Sequence, residues 1–403
     1  MKRAVNGMRR QRVKFFAVIA VVVCAAAACS SGGSGGGAAG ASTQGGDSAG
    51  VGVAYAKTQL SKFSSVPTFI APGAAFDVSG LRGKHMFVIP ATSNDFDNGI
   101  EAQMKSIAAT YGVRYTEYNN QGSPSEWVAG MNAALSQKPD LIVLNTALDP
   151  RQVSAQMKQA SAAHIPVLAT HFFDEGYSQG LNTSCGGTAE LCANGLTATV
   201  NAPFNAATRV EADQVIADSN GKGHVLIITA NDAAPTAGMV DAAKDEFAKH
   251  CAGCKVEVQN ISIADWATKI QPQVQTALTR DPQLKYIMPL FDYGASFAAS
   301  GINAAGKAGQ ASIVSYNGTQ NVLALMRKGN LVSLDVGESL NWLGYAFMDQ
   351  AFRVMAGKPT VQEHTPVRAF TKGNVDELGT PPDITKGYGD SYVQGYTDLW
   401  TTS

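Results

Sequence analysis

Short apolar runs alternate along this chain with segments whose apolar residues recur at helical spacing. Met86 to Ile89 is apolar at every position, long enough for a buried strand and too short for a helix. A polar turn follows over Ala91 to Asn98. Ile100, Met104, Ile107, Ala108 and Tyr111 then fall on one helical face, and Gly112 marks its end before a strand at Val113. This is a βαβ unit, and the turn Thr92-Ser93-Asn94-Asp95-Phe96-Asp97 stands at the carboxyl end of its first strand, where open parallel sheets gather ligands.

The same alternation continues. Strands are predicted at Val113–Tyr118, Leu141–Leu144, Ile165–Ala169 and Leu196–Val200, with helices at Ser123–Ser136 and Arg151–Ala163 between them. Ser123 and Glu126 have capping-box spacing. A second half repeats the pattern, with strands at Val225–Thr229, Val256–Ile261, Tyr286–Phe291, Ser312–Tyr316 and Leu331–Val336. Its helices are expected at Phe204–Ala217, Gly238–Lys249, Trp266–Thr279, Ala295–Ala308 and Asn321–Arg327, and a long helix at Trp342–Met355 returns to the first half. Single helices between successive strands imply an α/β fold of two doubly wound parallel-sheet lobes.

The amino terminus has a different character. Six Lys/Arg precede Phe15–Ala28, an apolar run of fourteen residues that is short for a membrane span and has the form of a secretory signal. It closes Ala26-Ala27-Ala28-Cys29, which resembles a bacterial lipobox, with Ala26 where Leu is common. The reading is a signal over residues 1–28, lipid on Cys29, and a Gly/Ala/Ser tether through residue 50 that spans roughly 25 Å. Residues 51–82 form a lead, with a short helix at Val53–Phe63 and irregular chain from Pro67. This order places the globular body outside the cytoplasm, at the outer face of the cell membrane.

Composition narrows the partners. At 45% apolar and 16% charged, the 403-residue chain supports a large core. Without residues 1–28 it carries 25 basic against 32 acidic residues, which argues against nucleic acid. Cys185, Cys192, Cys251 and Cys254 remain after Cys24 and Cys29 are set aside, an even number that outside the cytoplasm is expected to be oxidised. The local pairings are simplest, and crossed ones stay open. The His250-Cys251-Ala252-Gly253-Cys254 run ends a helix rather than opening one, unlike a redox motif.

No GxSxG, HExxH, Walker or GxGxxG pattern occurs in a suitable place, so neither an enzyme nor a metal or cofactor is expected. The strand ends instead offer rings (Phe96, Phe172, Trp266, Phe291) and polar groups (Ser93, Asn94, Asn145, His171, Asp241, Asp292, Asn317, Glu338). Rings lie against sugar C–H faces, and amides and carboxylates pair with hydroxyl groups.

The segments ATSNDFDNGIEAQMKSIAATYG, KPDLIVLNTALDP, HIPVLATHF, Ala264-Asp265-Trp266, IMPLFDYGASFAASGINAAG and SIVSYNGT resemble the type I periplasmic-binding-protein family, in its ribose/galactose-type branch, over about Lys84 to Ala356. The resemblance implies two lobes joined by a three-strand hinge that close on one ligand and deliver it to an ABC-type import permease. The lobes would be residues 83–199 with about 339–366, and 200–338 with about 367–403, in a monomer. By resemblance Phe96 and Trp266 stack on the ligand, Asn145 and Asn317 bond it, and Asp292 is the acid opening a helix. The chain departs from the family where His171-Phe172 replaces Asp-Arg, Asp241 an Arg, Phe291 an Asn and Glu338 a Gln. Without those arginines, a polyol, a modified or amino sugar, a nucleoside or a cationic ligand fits better than a plain pentose. A ligand sensor signalling to a membrane receptor is the alternative the same fold allows.

Overall fold

The computed structural model describes residues 44–175, 185–329 and 331–402. The expected signal, Cys24, Cys29 and the first part of the tether lie outside the described residues.

In chain order, α1 (Gln44–Ser64) and a two-residue strand β1 (Phe76–Asp77) precede the first lobe. That lobe contains β2 (His85–Pro90), α2 (Asp95–Tyr111), β3 (Arg114–Glu117), α3 (Pro124–Gln137), β4 (Leu141–Asn145), α4 (Ser154–Ala162), β5 (Val167–Asp174), α5 (Ala189–Ala193) and β6 (Leu196–Ala202). The second contains α6 (Phe204–Asp218), β7 (His224–Thr229), α7 (Thr236–His250), β8 (Lys255–Asn260), α8 (Trp266–Arg280), β9 (Tyr286–Met288), α9 (Asp292–Ala304), β10 (Ser312–Asn317), α10 (Gln320–Lys328) and β11 (Val332–Glu338). The chain ends with α11 (Leu340–Met355), β12 (Val367–Phe370), α12 (Ser391–Leu399) and β13 (Trp400–Thr401).

Local chemistry sets the helix ends. Asn94 caps α2 by accepting from the Asp97 amide, and Gly112 stops it in the left-handed conformation at φ 70°. The predicted capping box is present on α3, where Ser123 and Glu126 satisfy each other's backbone.

The sheets are two. The first has order β3-β2-β4-β5-β6, all parallel. The second runs β12-β11-β10-β9-β7-β8, parallel except for β12, which pairs antiparallel with β11. Alternate residues feed opposite faces, as a sheet covered on both sides requires. Met86 and Val88 enter one core, and Phe87 and Ile89 the other.

Three connections pass between the lobes. Pro203 leads from β6 to α6, which packs on β10 and β11; Ser339 leads from β11 to α11, which packs on α2, β4 and β6. Residues 356–366 then return the chain to β12 in the second sheet.

Two expectations change. Gln44–Gly50, read as tether, belongs to α1, because that helix docks on α6, α7 and β12. Packing rather than propensity stabilises it. The closing segment, expected wholly with the second lobe, divides: β12 stays there, whereas α12 packs on α11 and β13 pairs with β1. Tyr111, Phe352 and Tyr345 surround the Trp400 ring and hold the tail against the first lobe.

Cys185 and Cys192 adjoin with Cα atoms 5.8 Å apart, and Cys251 and Cys254 with 5.3 Å, which are the local pairs.

Candidate functional site

The carboxyl ends of β4 and β5 meet those of β10 and β11 where the lobes face each other. The backbone is strained there: Thr146, Ala147, His171, Leu290 and Asn317 have φ between 48° and 135°, a region that side chains disfavour. Such outliers persist where surrounding contacts over-determine them, and they concentrate at binding sites.

Asn145 ends β4 fully buried, with its side chain held by its own lobe. Its Nδ2 donates to Glu101 Oε1 at 3.1 Å, and its Oδ1 accepts from Thr170 Oγ1 at 2.8 Å. Burial lifts the Glu101 carboxyl to about 7, with Glu117 adding to the effect. It also lifts nearby Asp97 well above the carboxylate range.

His171, near the end of β5, crosses the seam. Its Nε2 lies 2.9 Å from Glu338 Oε2 at the end of β11, and both side chains are buried. Glu338 Oε1 and the Tyr316 hydroxyl are buried beside each other, and neither makes a hydrogen bond of ordinary geometry among the described residues. Burial, followed by the Glu338 charge, keeps that hydroxyl protonated far above its ordinary range.

Rings from both lobes surround this pair. The His171 ring is 5.3 Å from Phe96, 4.7 Å from Phe204 and 6.5 Å from Tyr316, the last nearly parallel at 13°. Phe291 lies 6.4 Å from Phe204 and 6.1 Å from Tyr316, and Trp266 stands a further 6.4 Å beyond it. Phe96 and Phe291 are half-buried, so part of each ring is accessible.

Asp292 opens α9 with its oxygens turned inward. Oδ1 accepts from Ser315 Oγ at 2.5 Å, and Oδ2 accepts from the Thr319 amide at 2.6 Å and Thr319 Oγ1 at 2.7 Å. Burial raises both Asp292 and neighbouring Asp335, and the Asp292 charge adds to the rise at Asp335. With three donors on Asp292, Asp335 is the member of the pair that carries the proton.

Several predicted residues stand elsewhere. Phe172 lies in the first lobe's core with its ring 4.6 Å from Phe173, while His171, at φ 52° where the β5–β6 register shifts, turns out of the strand's regular alternation toward the seam. Trp266 is only 2% exposed, donates its indole N–H to the Ile261 carbonyl at 2.8 Å and has Tyr293 stacked on it at 5.8 Å. It therefore supports Phe291 and Tyr293 from behind. Asp241 is exposed in the second turn of α7, and no ring contact or hydrogen bond joins it to the seam among the described residues. Asn94 serves the α2 cap, and Ser93 is exposed with its Oγ 3.4 Å from Asn98. Asn317 is buried at the end of β10 with φ 135°.

Sequence reasoning missed Phe204 and Tyr316. Tyr316 precedes a residue already singled out, and Phe204 follows the hinge Pro203; both positions signal a lobe junction. Among the described residues, no cluster of His, Cys, Asp and Glu could hold a metal ion, and no helix is long and apolar enough to cross a membrane.

Two doubly wound lobes, crossed three times and meeting at a ring-lined seam, define a hinged α/β binding fold. The chain belongs to the family described as periplasmic binding protein domain, whose model matches residues 85–359. Solved structures share the fold at low identity. A solute-binding protein of an ABC transporter from Agrobacterium vitis, bound with alpha-D-tagatopyranose, aligns with TM-score 0.63 and 20% identity, covering 72% of this chain and 96% of that one. A second A. vitis protein, with bound allitol, aligns at 0.62 and 20%, covering 74% and 99%. One from Bacillus halodurans C-125 with bound myo-inositol aligns at 0.62 and 17%, covering 75% and 99%. No curated protein matches the sequence.

Proposed function

We propose that this protein is an extracytoplasmic solute-binding lipoprotein, held to the cell membrane through Cys29, that captures a sugar or polyol by hinge closure and passes it to an ABC-type import permease. One observation carries the reading: Phe96 and His171 of one lobe face Phe204, Phe291, Tyr316 and Glu338 of the other across a single seam. Rings of that kind bury C–H faces, and the polar groups beside them pair with hydroxyls.

Opening the hinge separates His171 from Glu338, and a ligand entering there replaces contacts that the lobes make with each other. A ligand that binds the closed arrangement better shifts the population toward it. A hydroxyl missing from the ligand leaves a buried polar group unpaired, at about 1–3 kcal/mol. Selectivity follows from that cost. The relatives' ligands, tagatopyranose, allitol and myo-inositol, support a small hydroxylated molecule of this size class. No proton relay or nucleophile is needed for this task, and the protein acts as a binder rather than an enzyme. The thiol pairs Cys185–Cys192 and Cys251–Cys254 are disulfides in the exported protein, which works as a monomer.

The test is a thermal-shift screen of the chain from Cys29 to Ser403 against sugars, polyols and nucleosides, since a ligand specific for the folded state raises the melting temperature by mass action. Truncation to Val51 would cut into α1, so the longer chain is the one to screen. A panel without any shift, repeated by calorimetry, would overturn the reading.

A further inference from the structure

The charge balance at the seam is uneven. Glu338 is fully buried, and among the described residues the one basic side chain that pairs with it is the His171 imidazole. No Lys or Arg pairs with Glu338, Asp97, Asp292 or Asp335 among those residues. The nearest Arg on the adjoining strand, Arg368, is occupied by the Ser64 and Gly387 carbonyls and Glu377. A buried carboxylate held by a single imidazole has weak compensation for its lost hydration.

The surroundings supply what a cation needs. Phe96, Phe204 and Tyr316 lie 5.3, 4.7 and 6.5 Å from the His171 ring, and Phe291 stands next to Phe204 and Tyr316 at 6.4 and 6.1 Å. A ring face attracts an ammonium group within about 6 Å of its centroid, and most strongly where water is excluded. Glu338 Oε1, buried and without a hydrogen bond of ordinary geometry among the described residues, is an acceptor for the ammonium N–H. The Tyr316 hydroxyl, in contact with Glu338 and held protonated, can turn its proton to Glu338 or to an adjacent ligand hydroxyl.

Resting on the capture function above, we propose that the ligand carries a protonated amine, as an amino sugar or aminopolyol does, with the ammonium seated between Glu338 Oε1 and the rings of Phe96, Phe204, Phe291 and Tyr316. Neutral polyols lack the charge that this arrangement rewards. Anionic sugars are repelled by it.

Calorimetry on the chain from Cys29 to Ser403 at neutral pH tests this with matched pairs: glucamine against sorbitol, glucosamine against glucose, and N-acetylglucosamine as a bulky neutral control. The amine member should bind at least about tenfold more tightly than its hydroxyl parent. Glu338→Gln should remove that preference. Phe291→Leu, which keeps apolar volume without a ring, should weaken the amine more than the parent and provides a second readout if the first variant folds poorly. Equal or tighter binding of the neutral members would overturn the amine proposal and leave the capture function standing. An amine preference untouched by both variants would overturn this site for it. Failure of every compound to bind would count against the capture function as well.

Discussion

His171 Nε2 lies 2.9 Å from Glu338 Oε2, joining residues 167 positions apart and on opposite lobes. The pair is buried, so its removal is felt by the fold as well as by the ligand. His171→Ala takes from the buried Glu338 the one basic side chain that pairs with it among the described residues and should lower unfolding free energy by about 3–5 kcal/mol. Adding Glu338→Gln should restore part of that loss, which denaturant curves on the single and double variants would measure. Independent, additive losses would show that the two side chains do not interact.

Trp266 and Phe291 should respond differently to truncation. Trp266 is buried and bonded to its own lobe, so Trp266→Ala should cost about 3–5 kcal/mol of stability. Phe291 is half-buried at the seam, and Phe291→Ala should abolish most ligand affinity at a stability cost of about 1 kcal/mol. Melting curves paired with calorimetry separate the two. A Trp266→Ala protein as stable as wild type would place that ring outside the core.

Stability should fall from mildly acidic to alkaline pH. Burial raises the Asp292 carboxyl to about 6, Glu101 to about 7 and Asp213 to about 8. Acids that hold protons more tightly when folded stabilise the fold below their unfolded range near 4, and this contribution disappears as pH rises through those values. His85, lowered by burial, works the other way. The acids outweigh it, so unfolding free energy should be at least about 2 kcal/mol lower at about pH 8.5 than at about pH 5. Asp335→Asn, which keeps a donor where the proton sits, should flatten the profile.

The docking of α1 turns on one glycine. A Cβ on Gly52 would lie 1.9 Å from the His250 carbonyl oxygen, a backbone atom that cannot rotate away. The next turn follows from that approach: Tyr55 stacks on the His250 ring at 3.7 Å, and Ala56 is fully buried. Gly52→Ala should release α1, read as faster amide exchange and proteolysis between residues 44 and 64, with the rest of the second lobe protected. Unchanged protection there would show that the helix docks without this close approach.

Most of the α/β order was legible because it is local. The β2–α2–β3 unit shows in the apolar run at Met86–Ile89, the helical spacing after it and the Gly112 stop. The Ser123–Glu126 cap is likewise a matter of residues three apart. Site residues were legible as positions at strand ends, but not as directions. His171 and Phe172 looked equivalent, and the irregular backbone at the end of β5, with His171 at φ 52°, sends one to the seam and the other into the core.

The sequence by itself therefore determined the alternation of strands and helices and the caps that bound them, since each depends on neighbours a few residues away. Only the tertiary structure decided that β12 runs antiparallel, that α1 and α12 dock on different lobes, that Trp266 is a buried prop, and that Phe204 and Tyr316 join His171 and Glu338. Those outcomes rest on contacts between segments far apart in the chain, and no local pattern encodes which distant face a side chain will meet.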